Sequence, residues 1–165
     1  MQPCPPNVDN FYGVFGPWNG SSYAPSEITI SGTSKGYWFS MNNGATIHLS
    51  GLTATYDESY SFIKSDSDLN LDISGTNSIT CKNWAQAIAV DGTLKLSGNG
   101  TLTVTVKSKY RYGLFASSNY DDDNNSDASV LAASGYTVTR SDVTNNGDGT
   151  YTWMYTVAPS GNGGN

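Results

Sequence analysis

The chain has 165 residues, a formal net charge of −6 and only 13% charged residues, with 18 glycines. That length suits one domain with a buried core and leaves little room for two. Its six lysines and two arginines are scattered among 14 carboxylates, which excludes a nucleic-acid partner, because phosphate backbones are held by clustered cations. No run of 18 apolar residues is present, so no membrane insertion is expected for this segment.

Two Glu, two Gln and no apolar spacing at helical period leave an all-β reading. Residues 1–25 carry Pro3, Pro5, Pro6, Phe11, Tyr12, Phe15, Trp18 and Tyr23 without strand alternation. They are expected to form an aromatic, proline-rich arm or cap. They also lack the apolar core of a signal peptide, so any export signal is expected to have been removed or to lie upstream.

From residue 26 to residue 120 one phrase recurs: Ile28-Thr-Ile-Ser-Gly32, Ile47-His-Leu-Ser-Gly51, Leu71-Asp-Ile-Ser-Gly75 and Leu94-Lys-Leu-Ser-Gly98. The glycines are 19, 24 and 23 residues apart, a period that fits one circuit of a β-solenoid. A second strand-like piece accompanies each copy: 37–41, 60–63, 87–90 and 113–116. A third follows it, clearest at 101–106. Three sides per rung are therefore expected. Alternation sends the Ile and Leu inwards and leaves Thr29, His48, Asp72 and Lys95 in an outward column. Glycine after each serine suits a corner.

Residues 121–157 read as an acidic loop followed by a capping hairpin, 136–140 and 150–157 joined through Asn145-Asn-Gly-Asp-Gly149. Residues 158–165 read as a flexible tail. The predicted fold is thus a short right-handed parallel β-helix of about 4 rungs, each of roughly 23 residues, closed by a C-terminal β-hairpin.

The Ser-Gly rungs followed by GYTVTRSDVTNNGDGTYTW resemble right-handed parallel β-helix segments of large secreted or surface proteins of gut Bacteroidales. More loosely, they resemble β-helical carbohydrate-binding domains of polysaccharide-degrading bacteria. The likeness covers residues 26–157 and implies display outside the cell or on the bacterial surface. It also implies contact with a polysaccharide or a host or cell-surface glycan, and in the carbohydrate-binding members calcium held by acidic clusters.

Candidate sites follow from residue chemistry. Sugar rings stack on flat aromatic faces, and Trp84, Tyr110, Tyr112 and Tyr120 are the candidates for such contact, although tyrosines of inward parity belong to the core. Asp121, Asp122, Asp123 and Asp127 offer oxygen ligands for calcium, against the alternative of a solvated acidic loop. Apart from calcium, no cofactor is implied. Thr53/Thr55, Ser78/Thr80 and Thr103/Thr105 could order water and bind ice, or serve only as β-formers. His48 is the single histidine, so any triad chemistry depends on it, and no catalytic set is assigned. Cys4 and Cys81 either form a disulfide or leave Cys81 as a buried thiol. The functional expectation is a non-catalytic module for carbohydrate binding or surface adhesion. A structural spacer or stalk end of a larger surface protein and a polysaccharide lyase-like fragment are the alternatives.

Overall fold

The structure, a computed structural model, describes residues 12–15, 27–35, 38–41, 45–57, 59, 61–107, 113–121 and 127–161, with side chains at all of these except 12–15, 35 and 38–41. The chain is all-β, its strands lying in two sheets that both contain parallel pairs.

In chain order the strands are β1 (Tyr12–Phe15), β2 (Glu27–Lys35), β3 (Trp38–Met41), β4 (Ala45–Tyr56), β5 (Ile63–Ser65), β6 (Leu69–Cys81), β7 (Ile88–Val90), β8 (Leu94–Val106), β9 (Leu114–Ala116), β10 (Tyr136–Arg140), β11 (Thr144–Asn145) and β12 (Tyr151–Pro159). Odd strands β1 to β9 form one sheet in the order β1-β3-β5-β7-β9, and the other runs β10-β12-β8-β6-β4-β2. Through β9, every neighbouring pair is parallel. The arm therefore contributes a strand, β1, where sequence alternation gave none.

The recurring phrase stacks like on like in its first three copies: Ile28 beside Ile47 beside Leu71, and Ile30 beside Leu49 beside Ile73. Its fourth copy is slipped by two residues. Leu96 lies beside Leu71, and Gly98 lies beside Ile73, so the repeat length there is 25 residues, against the 23 read from the glycines. Because strand side chains alternate, a slip of two keeps the leucines inward. Glycine permits it: a Cβ on Gly98 would overlap the Ile73 carbonyl oxygen, and one on Gly100 that of Gly75. The outward column is consequently Thr29, His48, Asp72 and Ser97, while Lys95 stands beside Asn70.

The three expected sides per rung become two sheets. Gly32, Gly51, Gly75 and Gly98 take φ of 81°, 66°, 63° and 104° inside strands that run on to their third piece. The glycine bends each long strand without ending its hydrogen-bonding ladder. Where that ladder skips, between Ser50 and Thr53, the buried Asn77 bridges. Its Oδ1 accepts the Leu52 N–H at 2.9 Å, and its Nδ2 donates to Ser74 O at 2.9 Å and Thr101 O at 3.3 Å. One amide thus serves backbone groups of three strands, among them the buried Leu52 N–H.

One hydrophobic cluster joins both sheets, Ile47, Leu71 and Leu96 from one with Ile63, Ile88 and Leu114 from the other. Each fully buried Ile or Leu contributes roughly 1.5–3 kcal/mol. At the far side, β12 lies antiparallel on β8 and carries Trp153 beside Val104 and Tyr155 beside Leu102. Both rings are buried, and the Trp153 indole N–H donates to the Tyr155 hydroxyl at 2.9 Å. Gly113 makes room for this cap, since a Cβ there would meet Val104 Cγ2 at 2.6 Å and the Trp153 ring at 2.9 Å. The 3₁₀ turn Ala128–Leu131 covers the start of β8, with Ala133 N–H donating to Leu96 O at 2.9 Å.

β10 and β12 are antiparallel, as the hairpin reading expected. The tail reading is corrected at its start: Ala158 and Pro159 pair with Thr137 and Tyr136, and Ser160 N–H donates to Gly135 O at 2.8 Å. Cys81 is a buried free thiol whose pKa burial pushes up to about 12; Cys4 lies outside the described residues. Among the described residues, no helix is long and apolar enough to cross a membrane.

Candidate functional site

Two surface regions carry chemistry. The first is built on the outward column of β2, β4 and β6, where parallel register brings three titratable groups into line. His48 lies between two carboxylates, its Nδ1 2.7 Å from Asp72 Oδ2 and its Nε2 2.6 Å from Glu27 Oε1. Asp72 also accepts from the Ser97 hydroxyl at 3.5 Å. An open groove of about 500 Å³ runs over this line, edged by Thr29, Ser50 and Ser74. The His48 pKa is raised above its ordinary value of 6.5, chiefly by the hydrogen bond to Asp72 and secondarily by Glu27, against the opposing effect of partial burial. Both ring nitrogens are engaged by carboxylates, an arrangement that favours the protonated ring. The sequence placed His48 beside Asp72; it gave no sign of Glu27, which sits in register with Thr46 and reaches the ring diagonally.

The second region is the turn between β6 and β7. Here the Asn83 carboxamide accepts the Trp84 N–H at 2.9 Å, fixing a short turn that thrusts the indole outwards. Trp84 is 56% exposed, more than any other large apolar side chain described. Lys107, just past the end of β8, sets its Nζ 6.0 Å from the ring centroid, a cation–π contact at the outer limit of that interaction. Lys82 is exposed in the same turn.

The other candidates are dispersed. Tyr120 is 41% exposed and stacks on Phe115, ring centroids 6.0 Å apart and planes at 27°. It follows β9 whereas Trp84 precedes β7, and these strands are parallel neighbours, so the two residues lie past opposite strand ends. Tyr110 and Tyr112 lie outside the described residues.

Of the acidic loop, Asp122 and Asp123 also lie outside the described residues. Asp121 is buried and ion-paired with Arg140, Nε to Oδ2 3.0 Å, which ties the loop to β10. Asp127 caps the 3₁₀ turn; the Ser129 hydroxyl and then the Ser129 N–H hold its carboxyl below the usual range. Among the described residues, no group of three or more His, Cys, Asp or Glu is placed to hold a metal ion.

The threonine rows run Thr53, Ser78, Thr103, Met154 and Thr55, Thr80, Thr105, Thr152 across neighbouring strands. Met154 interrupts one row, and the Thr105 and Thr152 hydroxyls bond each other at 2.7 Å, which supports sheet pairing as their role. In the turn between β5 and β6, Asp68 accepts the Thr93 N–H at 2.8 Å, and Asp66 pairs with Lys64 at 3.2 Å. Lys95 donates to Val130 O at 3.3 Å, away from Lys82.

Comparison with protein-family models, with curated proteins and with solved structures gives no match to this chain.

Proposed function

We propose that the chain is a short right-handed parallel β-helix with a hairpin cap that serves outside the cell as a non-catalytic module, binding a polysaccharide or cell-surface glycan. The observation that carries the reading is Trp84: a large flat ring more than half exposed on a turn held by Asn83. Sugar C–H faces stack on such rings, and a handful of exposed aromatics dominates the energetics of recognition surfaces. The non-catalytic part draws support from His48, the single histidine, both of whose nitrogens are engaged by carboxylates. A repeating backbone that presents one rigid turn suits display better than chemistry.

A glycan array of plant, host and microbial polysaccharides, run with the intact chain and with Trp84→Ala, tests the reading. Retention of at least one glycan, weakened about tenfold or more by the substitution, is expected. Failure to retain any glycan, or equal retention by the variant, would favour a structural spacer instead.

A further inference from the structure

Lys82 and Lys107 occupy equivalent places on neighbouring strands. Thr80 of β6 pairs with Thr105 of β8, and each lysine comes two residues later, where its chain leaves the sheet. Parallel neighbours are about 4.8 Å apart, so the two lysines start from adjacent places just past the ends of β6 and β8. Both are exposed, and among the described residues neither has a carboxylate within ion-pair distance. Asp57, which follows the Tyr56 paired with Cys81, takes the corresponding place one strand earlier. Like charges placed directly opposite on neighbouring strands repel, and an anion lying between them relieves that repulsion.

We infer that the Lys82–Lys107 step beside Trp84 is a subsite for the carboxylate of an acidic polysaccharide, a uronate chain whose sugar ring lies on the exposed indole. The inference rests on the glycan reading above and narrows it to one substrate class. Ring stacking supplies an apolar, charge-blind contact, while the paired ammoniums distinguish an acidic sugar from a neutral one. Such contacts at exposed lysines weaken with salt.

Biolayer interferometry of the intact chain on immobilised polygalacturonate, its methyl ester, heparin and a neutral xyloglucan, at low and high salt, provides the test. Binding to polygalacturonate that falls at high salt, disappears on esterification and drops about tenfold or more in Lys82→Gln/Lys107→Gln is expected. Both lysines are exposed, so the variant's circular dichroism and melting temperature should match the parent's and keep the comparison interpretable. Equal binding to the methyl ester or to xyloglucan, or undiminished binding by the double variant, overturns the acidic subsite and leaves the glycan reading standing. Retention on heparin alone overturns the carboxylate in favour of sulfate. Retention on none of the four overturns the acidic subsite, and if the broader array is also blank the glycan reading falls with it.

Discussion

His48 Nδ1 lies 2.7 Å from Asp72 Oδ2 across the boundary between β4 and β6, and the same ring reaches back to Glu27 on β2 through Nε2. One imidazole thus ties together three neighbouring strands of the sheet, whose parallel register stacks the partly buried Ile28 and the buried Ile47 and Leu71. The folded-state pKa of His48 is raised above 6.5. Its contribution to stability is therefore fully present below that value and is lost as pH rises through the raised folded value. The melting temperature should decline over that window, and His48→Gln should flatten the decline. As the chain has a single histidine, its ring-proton resonance in an NMR titration reads the pKa directly; a midpoint at or below 6.5 would contradict the bridged geometry.

The slip of β8 by two residues depends on the absence of a side chain at Gly98. Gly51 and Gly98 both have positive φ, yet a Cβ on Gly51 meets nothing within 4 Å, whereas one on Gly98 overlaps the Ile73 carbonyl. Gly51→Ala should cost about 1–2 kcal/mol from backbone conformation alone. Gly98→Ala should cost roughly 1–3 kcal/mol more from overpacking. Urea denaturation of the two variants separates these contributions, and equal losses would argue against the slipped register.

Asp121 and Arg140 form an ion pair whose side chains are 0% and 2% exposed. Asp121→Leu removes the carboxylate that pairs with the Arg140 Nε in a buried setting and should cost about 3–5 kcal/mol. Arg140→Met placed on top of it should restore much of that loss, because an apolar pair of similar volume avoids burying charge. A thermal double-mutant cycle measures the coupling, and additive losses would contradict it.

Asn77→Leu removes the partner of the Leu52 N–H and of two carbonyls. A loss of about 1–3 kcal/mol is expected, chiefly from the buried Leu52 N–H left unsatisfied. Amide exchange at Leu52 should accelerate with it, and a protected Leu52 in the variant would sink this account of the bend.

How much of this was legible follows from what each residue signals. The stack of Ile28, Ile47 and Leu71 was readable because apolar alternation and the Ser-Gly phrase agree on one register. The fourth copy misled: Leu94-Lys-Leu-Ser-Gly98 matches the phrase, but contact of Gly98 with the Ile73 backbone and of Gly100 with Gly75 decides the pairing, and neither contact has a trace in local pattern. Asn77 did leave a signal. It shares inward parity with Ile79 and Cys81, and a polar residue at a core position marks a backbone group in need of a partner. Asp121 left none, since within a run of aspartates a buried charge and a solvated one look alike. Trp84 was among the aromatic candidates, yet its pairing with Lys107 joins residues 23 positions apart that only the stacked strands bring together.

Stacking of an acidic sugar on Trp84 is tested most directly at its indole N–H, observed by ¹H–¹⁵N NMR while trigalacturonate is titrated into the intact chain. Trp84→Phe assigns the resonance, and the buried Trp153 serves as an internal control. A Trp84 signal that moves to saturation while that of Trp153 stays fixed is the predicted result. A stationary Trp84 signal, at ligand concentrations that shift other resonances or none, would contradict it.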